Sequence, residues 1–158
     1  KRRSKCEAAK RRAAGSWKAA AVAWDEAGDA WRSKKLRSTV AARLRAQPGA
    51  QGGEAQPTKT PSARFVEHAD HQVALAKAAA SAARKAADGA LGTVLQGRDS
   101  ARKGYRAGFD RSRDAKQKTP WGAHAEIAAS AERVVKARNL STEARDASRA
   151  VGKACNKN

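Results

Sequence analysis

Large apolar side chains are scarce in this sequence. Leu, Ile, Val and Phe together account for 17 of the 158 residues, methionine is absent and tyrosine occurs once. In a chain with a net charge of +19, so small a share is typical of disorder. The sequence also has 40 alanines, and alanine favours the helix more than any other residue. The composition therefore predicts a folded, basic, alanine-rich protein of the all-α class.

Long apolar runs and catalytic motifs are missing as well. The longest stretch without a charged side chain covers residues 89–97, whereas a transmembrane helix needs about 20 apolar residues. The sequence has no glycine-rich phosphate loop ending in Lys-Ser or Lys-Thr and no GxSxG motif. It therefore predicts no transmembrane segment, no catalysis and no cofactor.

Prolines are few, and they mark where helices end. Pro48 and Pro57, with three nearby glycines, predict a loop over residues 47–61. The remaining pattern predicts one domain over residues 1–158, an elongated antiparallel bundle of four unequal helices at about 4–46, 62–95, 99–117 and 120–152. The last helix is expected to begin with Thr119 as N-cap and Pro120 at its first position. Three helices, with residues 62–117 continuous, remain the alternative.

Three tryptophans lie one heptad apart in the first predicted helix. Because residues seven apart share a helix face, Trp17, Trp24 and Trp31 predict a packing seam in which the intervening alanines and glycine let neighbouring helices approach. The next apolar residues of this helix are Leu36, Val40 and Leu44. These lie on a different face, so the helix is expected to bend or change partners near Lys34.

Two cysteines, Cys6 and Cys155, lie near opposite ends of the chain. In an up-and-down bundle an even number of helices brings the chain ends together, so a disulfide would accompany four helices and an oxidising compartment. Free thiols would instead accompany an intracellular protein. The sequence favours free thiols, because phosphate-bearing partners inside the cell explain the net charge better. The sequon Asn139-Leu140-Ser141 has meaning only if the chain is exported.

Basic residues are clustered in residues 1–12, 32–45 and 98–118. Such clusters attract polyanions, and the forked guanidinium of arginine matches phosphate. The alternative is a solvated surface that keeps an alanine-rich bundle soluble. The residues predicted to bind nucleic acid are Arg2, Arg3, Arg11, Arg12, Arg32, Lys34, Lys35, Arg37, Arg43, Arg45, Arg98, Arg102, Lys103, Arg106, Arg111 and Arg113.

Within the third cluster, residues 102–109 combine basic residues and glycines with two aromatic residues. Tyr105 and Phe109 would be able to stack on unpaired bases if their faces were open. They are also four residues apart, which is typical of a packing pair on a helix. The packing interpretation is favoured.

The segment 67–71 resembles a partial metal site, because it places Glu67 beside His68 and His71. Zinc needs three or four convergent ligands, and only His124 is left to complete the set. No metal site is predicted.

The leading functional hypothesis is a non-enzymatic protein that binds nucleic acid, RNA in preference to DNA, as a structural component of a larger intracellular assembly with neighbouring proteins. No helix-turn-helix, zinc-finger or RNA-recognition signature supports sequence-specific binding. The alternative is a secreted or cell-surface helical ectodomain, of receptor or adhesin type, closed by a Cys6–Cys155 disulfide. That alternative requires an acidic glycan or an acidic protein as its ligand, given the charge.

Overall fold

The structure is a computed structural model that describes residues 2–47, 60–115, 121 and 124–156, without the side chains of Arg2 and residues 111–115. Within these residues the regular structure is entirely α-helical. The helices are α1 (Arg2–Arg32), α2 (Lys34–Ala46), α3 (Pro61–Leu91), α4 (Val94–Ala115) and α5 (Ala125–Cys155). The predicted all-α class and helical bundle are confirmed, but the described residues form five helices, not four.

The additional helix arises from a break at Ser33. Its backbone leaves the helical conformation, with ψ at 123°, and its hydroxyl accepts a hydrogen bond from the Leu36 backbone N–H at 3.4 Å. A serine in this position is a favourable N-cap, because it satisfies one of the four free N–H groups of a helix start. The single helix predicted over residues 4–46 is therefore two helices, and they separate one residue before Lys34.

The junction between α3 and α4 also differs from the prediction. The glycines around Gly97 suggested a second helix that reached residue 95, with a third beginning at residue 99. The break comes earlier, because Thr93 and Gln96 form a reciprocal capping box. The Gln96 N–H donates to Thr93 Oγ1 at 3.2 Å, and the Thr93 N–H donates to Gln96 Oε1 at 3.0 Å. Gly97 consequently lies inside α4.

Two predicted helix starts also differ. The helix predicted to begin at residue 62 begins at Pro61, because Thr60 is its N-cap and accepts through Oγ1 from the Ala63 N–H at 3.3 Å. The last helix begins at Ala125. The start predicted at Thr119 and Pro120 lies outside the described residues.

The helices make four antiparallel passes. α1 contacts Ser148 and then Ser141 of α5 through Trp17 and Trp24, so these two helices run in opposite directions. α3 also runs against α1, whereas α4 runs parallel to α1 and packs between α3 and α5. α2 packs chiefly on α3, and its Arg43 pairs with Glu126 at the start of α5.

All three heptad tryptophans are buried, but their surroundings differ. The indole N–H of Trp17 donates to Ser148 Oγ at 2.9 Å, whereas the ring of Trp31 packs edge-on against His68 at 5.4 Å between centroids. Trp17 and Trp24 lie against glycines of α4, so that a Cβ at Gly104 would lie 2.9 Å from Trp17 Cζ3. The single repeating seam expected from the heptad spacing remains an interpretation; the structure gives each indole its own partners.

The four passes bring the two chain ends to one end of the bundle, which we call the disulfide end. There Cys6 of α1 and Cys155 of α5 form a disulfide, with their Cα atoms 4.9 Å apart. The expectation of free thiols is wrong for this structure. The physical reason is the topology, because α1, α3, α4 and α5 make an even number of antiparallel passes and so bring Cys6 and Cys155 to the same end.

Candidate anion-binding surface

The three basic clusters found in the sequence do not converge. Residues 1–12 begin at the disulfide end, whereas residues 32–45 lie at the opposite end of α1, which has 31 residues and a length of about 45 Å. The third cluster begins near the disulfide end and follows α4 away from it as far as residue 115, the last described residue of that helix. The first and third clusters therefore begin near the same end of the bundle, and the second lies at the opposite end.

Two arginines of the cluster at residues 32–45 make contacts within the bundle. Arg37 donates through Nε to the Trp31 carbonyl at 3.0 Å and pairs with Asp70 at 2.7 Å. Arg43 pairs with Glu126 of α5 at 2.8 Å. These contacts hold α2 against its neighbours. Four predicted residues of this cluster are exposed and take no part in these ion pairs with other helices. They are Arg32, Lys34, Lys35 and Arg45.

The other predicted residues lie on α1 and α4. Those exposed on α1 are Arg3, Arg11 and Arg12, and those exposed on α4 are Arg98, Arg102, Lys103 and Arg106. The side chains of Arg2, Arg111 and Arg113 lie outside the described residues.

The first turns of α4 and the last turns of α5 enclose a groove of about 830 Å³, which we call the α4–α5 groove. Its charged lining residues are Arg98, Asp99, Arg102, Arg145, Arg149 and Lys153. Five of these six side chains are cationic. The groove brings basic residues of two helices together.

The basic residues on the α5 side of this groove were not predicted from the sequence. Arg145, Arg149 and Lys153 recur every four residues, which places them on one helix face. They were not predicted because Asp146 lies among them and Glu143 lies just before them, which lowers the local charge density. Asp146 lies 3.6 Å from both Arg145 Nε and Arg149 Nη1. Their spacing of four residues was the sequence pattern that indicated a basic row on one face of α5.

The aromatic pair of α4 borders the groove. The Arg145 guanidinium lies 3.8 Å from the centroid of the Tyr105 ring, and Phe109 stacks on Tyr105 at 5.8 Å. Arg138 lies over Phe109 at 5.8 Å. Both rings therefore contact arginines of α5, which agrees with the packing interpretation for Tyr105, whereas Phe109 remains 46% exposed.

The glycines of the same segment are also engaged within the bundle. Gly104 and Gly108 face Trp17 and Trp24, and a Cβ at Gly108 would lie 3.3 Å from Trp24 Cζ2. The small residues thus let α4 approach the indoles of α1. The close backbone approach that these glycines permit serves the packing of the core and not the binding of a ligand.

A second cavity, of about 870 Å³, lies beside the disulfide. Arg3 and Lys5 of α1 line it, and it shares Lys153 and Asn156 with the α4–α5 groove. The basic lining therefore continues from the groove to the disulfide end of the bundle.

The histidine segment at residues 67–71 serves packing at the opposite end of the bundle. The ring of His68 lies between Trp31 and Trp121, at centroid distances of 5.4 and 4.7 Å, while His71 is exposed. In the described part of the chain no three His, Cys, Asp or Glu side chains converge as metal ligands. Among the same residues, no helix combines the length and the apolar character that crossing a bilayer requires.

Comparison with known proteins yields no relative. No protein-family model, no curated protein and no solved structure matches the chain. The candidate surface therefore has to be interpreted from its own charges, distances and packing.

Proposed function

We propose that this protein is a disulfide-closed helical bundle of an oxidising compartment, secreted or at a cell surface, that binds an acidic ligand. The observation that carries the proposal is the disulfide between Cys6 and Cys155. Disulfides persist in secreted and surface proteins and are rare in the reducing cytosol. Free thiols were expected for an intracellular protein. The pairing of the two cysteines in a disulfide therefore reverses the order of the two functional hypotheses drawn from the sequence.

The charge supports an acidic ligand. A net charge of +19 creates a positive field that attracts anions over a distance of about one Debye length, roughly 8 Å at physiological salt. The α4–α5 groove concentrates five cations where a ligand would contact two helices at once. Arginine is suited to this role, because its guanidinium stays protonated and offers several donors in one plane.

Binding without catalysis is part of the same proposal. General acid–base catalysis needs groups whose pKa lies near the working pH. The cations of the α4–α5 groove are four arginines and one lysine. Guanidinium groups remain protonated throughout the physiological range, so they bind anions without exchanging protons.

Nucleic-acid binding as a structural component is the second candidate function. It is favoured by the number of arginines, 19 among 34 basic residues, and by the exposed row that Arg98, Arg102 and Arg106 form on α4. Such binding would show little sequence preference and would weaken steeply with salt, because it depends on counterion release.

The redox state of the cysteines tests the first proposal. The protein is isolated from its source, alkylated without reduction and analysed by mass spectrometry. The expected result is no alkyl group on either cysteine and a crosslinked peptide that contains Cys6 and Cys155. Two alkylated cysteines would contradict the proposal and return the intracellular nucleic-acid hypothesis to first place. A sample reduced before alkylation is the control that shows both thiols can react.

A further inference from the structure

We propose that the α4–α5 groove is a binding site for a linear sulfated glycan, whose sulfate groups are bound by Arg98, Arg102, Arg145 and Arg149. This inference rests on the proposed function, because it specifies the acidic ligand and its place on the bundle. Among the cations that line this groove, the sequence predicted only those of α4 to bind a ligand.

The arrangement of the cations suits a chain of repeated anions. Arg98 and Arg102 are four residues apart on α4, as Arg145 and Arg149 are on α5, so each pair presents guanidinium groups about 6 Å apart along its helix. α4 and α5 are antiparallel neighbours, and the two rows line the same groove from opposite sides. A linear polyanion lying along the groove would therefore meet cations from both helices.

Arg145 is held in position before any ligand arrives. Its guanidinium lies 3.8 Å from the Tyr105 ring centroid, and its side chain is only 25% exposed. Binding a guanidinium that is already fixed loses less conformational entropy than ordering a free one.

The donors that Arg145 offers to an oxyanion come from the exposed quarter of its side chain. Its Nε is buried, has no hydrogen bond and lies 3.6 Å from Asp146 Oδ1, so a ligand in the groove does not reach that atom. Guanidinium groups offer five N–H donors, and those that are not buried remain available to a sulfate oxygen.

Two carboxylates oppose an anion at this site. Asp99 lines the groove, and Asp146 lies 3.6 Å from Arg145 and Arg149. The groove remains positive, because five cations face these two anions. The carboxylates favour a ligand with several charges, since a single anion would gain little against the repulsion.

A sulfated glycan fits the site better than a single-stranded nucleic acid. Bases bind non-specifically by stacking on open aromatic faces. The ring of Tyr105, which lines the groove, is covered by Arg145 and contacts Phe109, so it offers bases no such face. Phe109 is 46% exposed, but it lies outside the lining residues of the groove. Sulfate groups need only charge and forked donors, which the arginines supply. In the oxidising compartment proposed above, sulfated glycans are anionic chains that the protein would meet.

The experiment compares two triple variants of the full, disulfide-bonded chain. The groove variant carries Arg98→Gln, Arg102→Gln and Arg149→Gln, and leaves Arg145 in place because its guanidinium packs on Tyr105. The matched control carries Arg12→Gln, Arg64→Gln and Arg133→Gln, three exposed arginines outside the groove. Both variants lose the same number of charges from the same residue type. Circular dichroism, thermal melting and the intact disulfide establish that each variant folds.

The probe is heparin, measured by titration calorimetry at several salt concentrations, with desulfated heparin and a single-stranded oligonucleotide in parallel. We expect the groove variant to bind heparin at least about tenfold more weakly than the wild type, because several charge-assisted hydrogen bonds are lost. The control variant should keep most of the affinity. Desulfated heparin should bind far more weakly than heparin.

The other outcomes overturn the inference in distinguishable ways. Equal losses in both variants would show that diffuse charge, and not the groove, binds the glycan, and would leave the proposed function standing. An oligonucleotide bound more tightly than heparin, and weakened only by the groove variant, would assign the groove to nucleic acid. A wild-type protein that binds neither heparin nor the oligonucleotide, with its disulfide intact, would overturn the inference and the charge argument for an acidic ligand.

Discussion

The indole N–H of Trp24 donates a 3.0 Å hydrogen bond to the Ser141 hydroxyl across the interface of α1 and α5. Ser141 in turn donates to the Ala137 carbonyl at 3.1 Å, and both side chains are buried. This pair accounts for the serine of the sequon at Asn139 by packing alone. It also shows how an alanine-rich core retains specificity, because a polar donor and acceptor fix the position of α1 along α5.

Ser141→Ala should destabilise the protein by about 1–3 kcal/mol, because the substitution leaves the buried indole N–H of Trp24 without an acceptor. Urea unfolding followed by circular dichroism measures the loss. Ser148→Ala is the matched comparison, since its hydroxyl accepts from the Trp17 indole N–H and Ser148 lines the α4–α5 groove, from which water can take the place of the hydroxyl. Its cost should be smaller.

A double-mutant cycle separates the hydrogen bond from the change in volume. In a Trp24→Phe background the indole N–H is gone, so Ser141→Ala should cost clearly less than it does in the wild type. Equal costs in the two backgrounds would show that the hydrogen bond contributes nothing to stability.

Gly104→Ala should destabilise the bundle, although alanine is the better helix former. Its Cβ would lie 2.9 Å from Trp17 Cζ3 and 3.2 Å from Ala86 Cβ, so α4 would have to move away from the core. Overpacking of this kind costs about 1–3 kcal/mol. Thermal melting and urea unfolding would detect the loss.

Gly15→Ala is the control for that substitution. Gly15 also lies within a helix, but a Cβ there meets nothing within 4 Å. The same change should therefore stabilise by about 0.5–1 kcal/mol through helix propensity. If both variants were stabilised, the close approach of α4 to Trp17 would not constrain the fold.

The helical class was predictable because alanine content and heptad spacing are local properties. The break points were less predictable, because two local signals competed within residues 89–99. Glycines favoured a break near Gly97, whereas Thr93 and Gln96 carried a capping box that fixes the start of α4 at Val94, five residues before the predicted start at residue 99. The reciprocal hydrogen bonds outweighed the unfavourable helix propensity of glycine. Gly97 also packs closely on the α3 backbone.

The candidate site was predictable only on its α4 side. Local charge density identified Arg98 and Arg102, but the α5 row is interrupted by Asp146 and becomes visible only as a spacing of four. The juxtaposition of the two rows depends on the antiparallel topology, which no local pattern contains. The state of the cysteines followed from the same topology, so the argument from charge alone reached the wrong expectation.

The ion pair of Arg43 with Glu126 should make stability depend on pH. A hydrogen bond from its own backbone N–H lowers the pKa of Glu126 most, burial opposes this in part, and Arg43 lowers it further. A carboxyl whose pKa is lower in the folded state stabilises at neutral pH, and this contribution is lost as the pH falls through the lowered value. Glu126→Gln should therefore be less stable than the wild type at pH 7, and the difference should vanish below that pKa.

Urea unfolding between pH 7 and pH 2 measures this difference, which should be small because the carboxylate contacts solvent. Arg43→Gln should retain part of the pH dependence, because the backbone hydrogen bond remains. A difference between wild type and Glu126→Gln that stays constant over the whole range would assign the effect to packing and not to charge.

The disulfide should contribute about 5 kcal/mol to the stability of the bundle. Cys6 and Cys155 are separated by 149 residues, and the chain-entropy model gives its largest contributions for such long loops, because closure removes many conformations of the unfolded chain. The double variant with Cys6→Ser and Cys155→Ser should therefore unfold at a much lower urea concentration. Wild-type protein under reductant should match that variant, and reductant should leave the variant itself unchanged. An unchanged midpoint in the double variant would show that packing among α1, α3 and α5 holds the chain ends together without the bond.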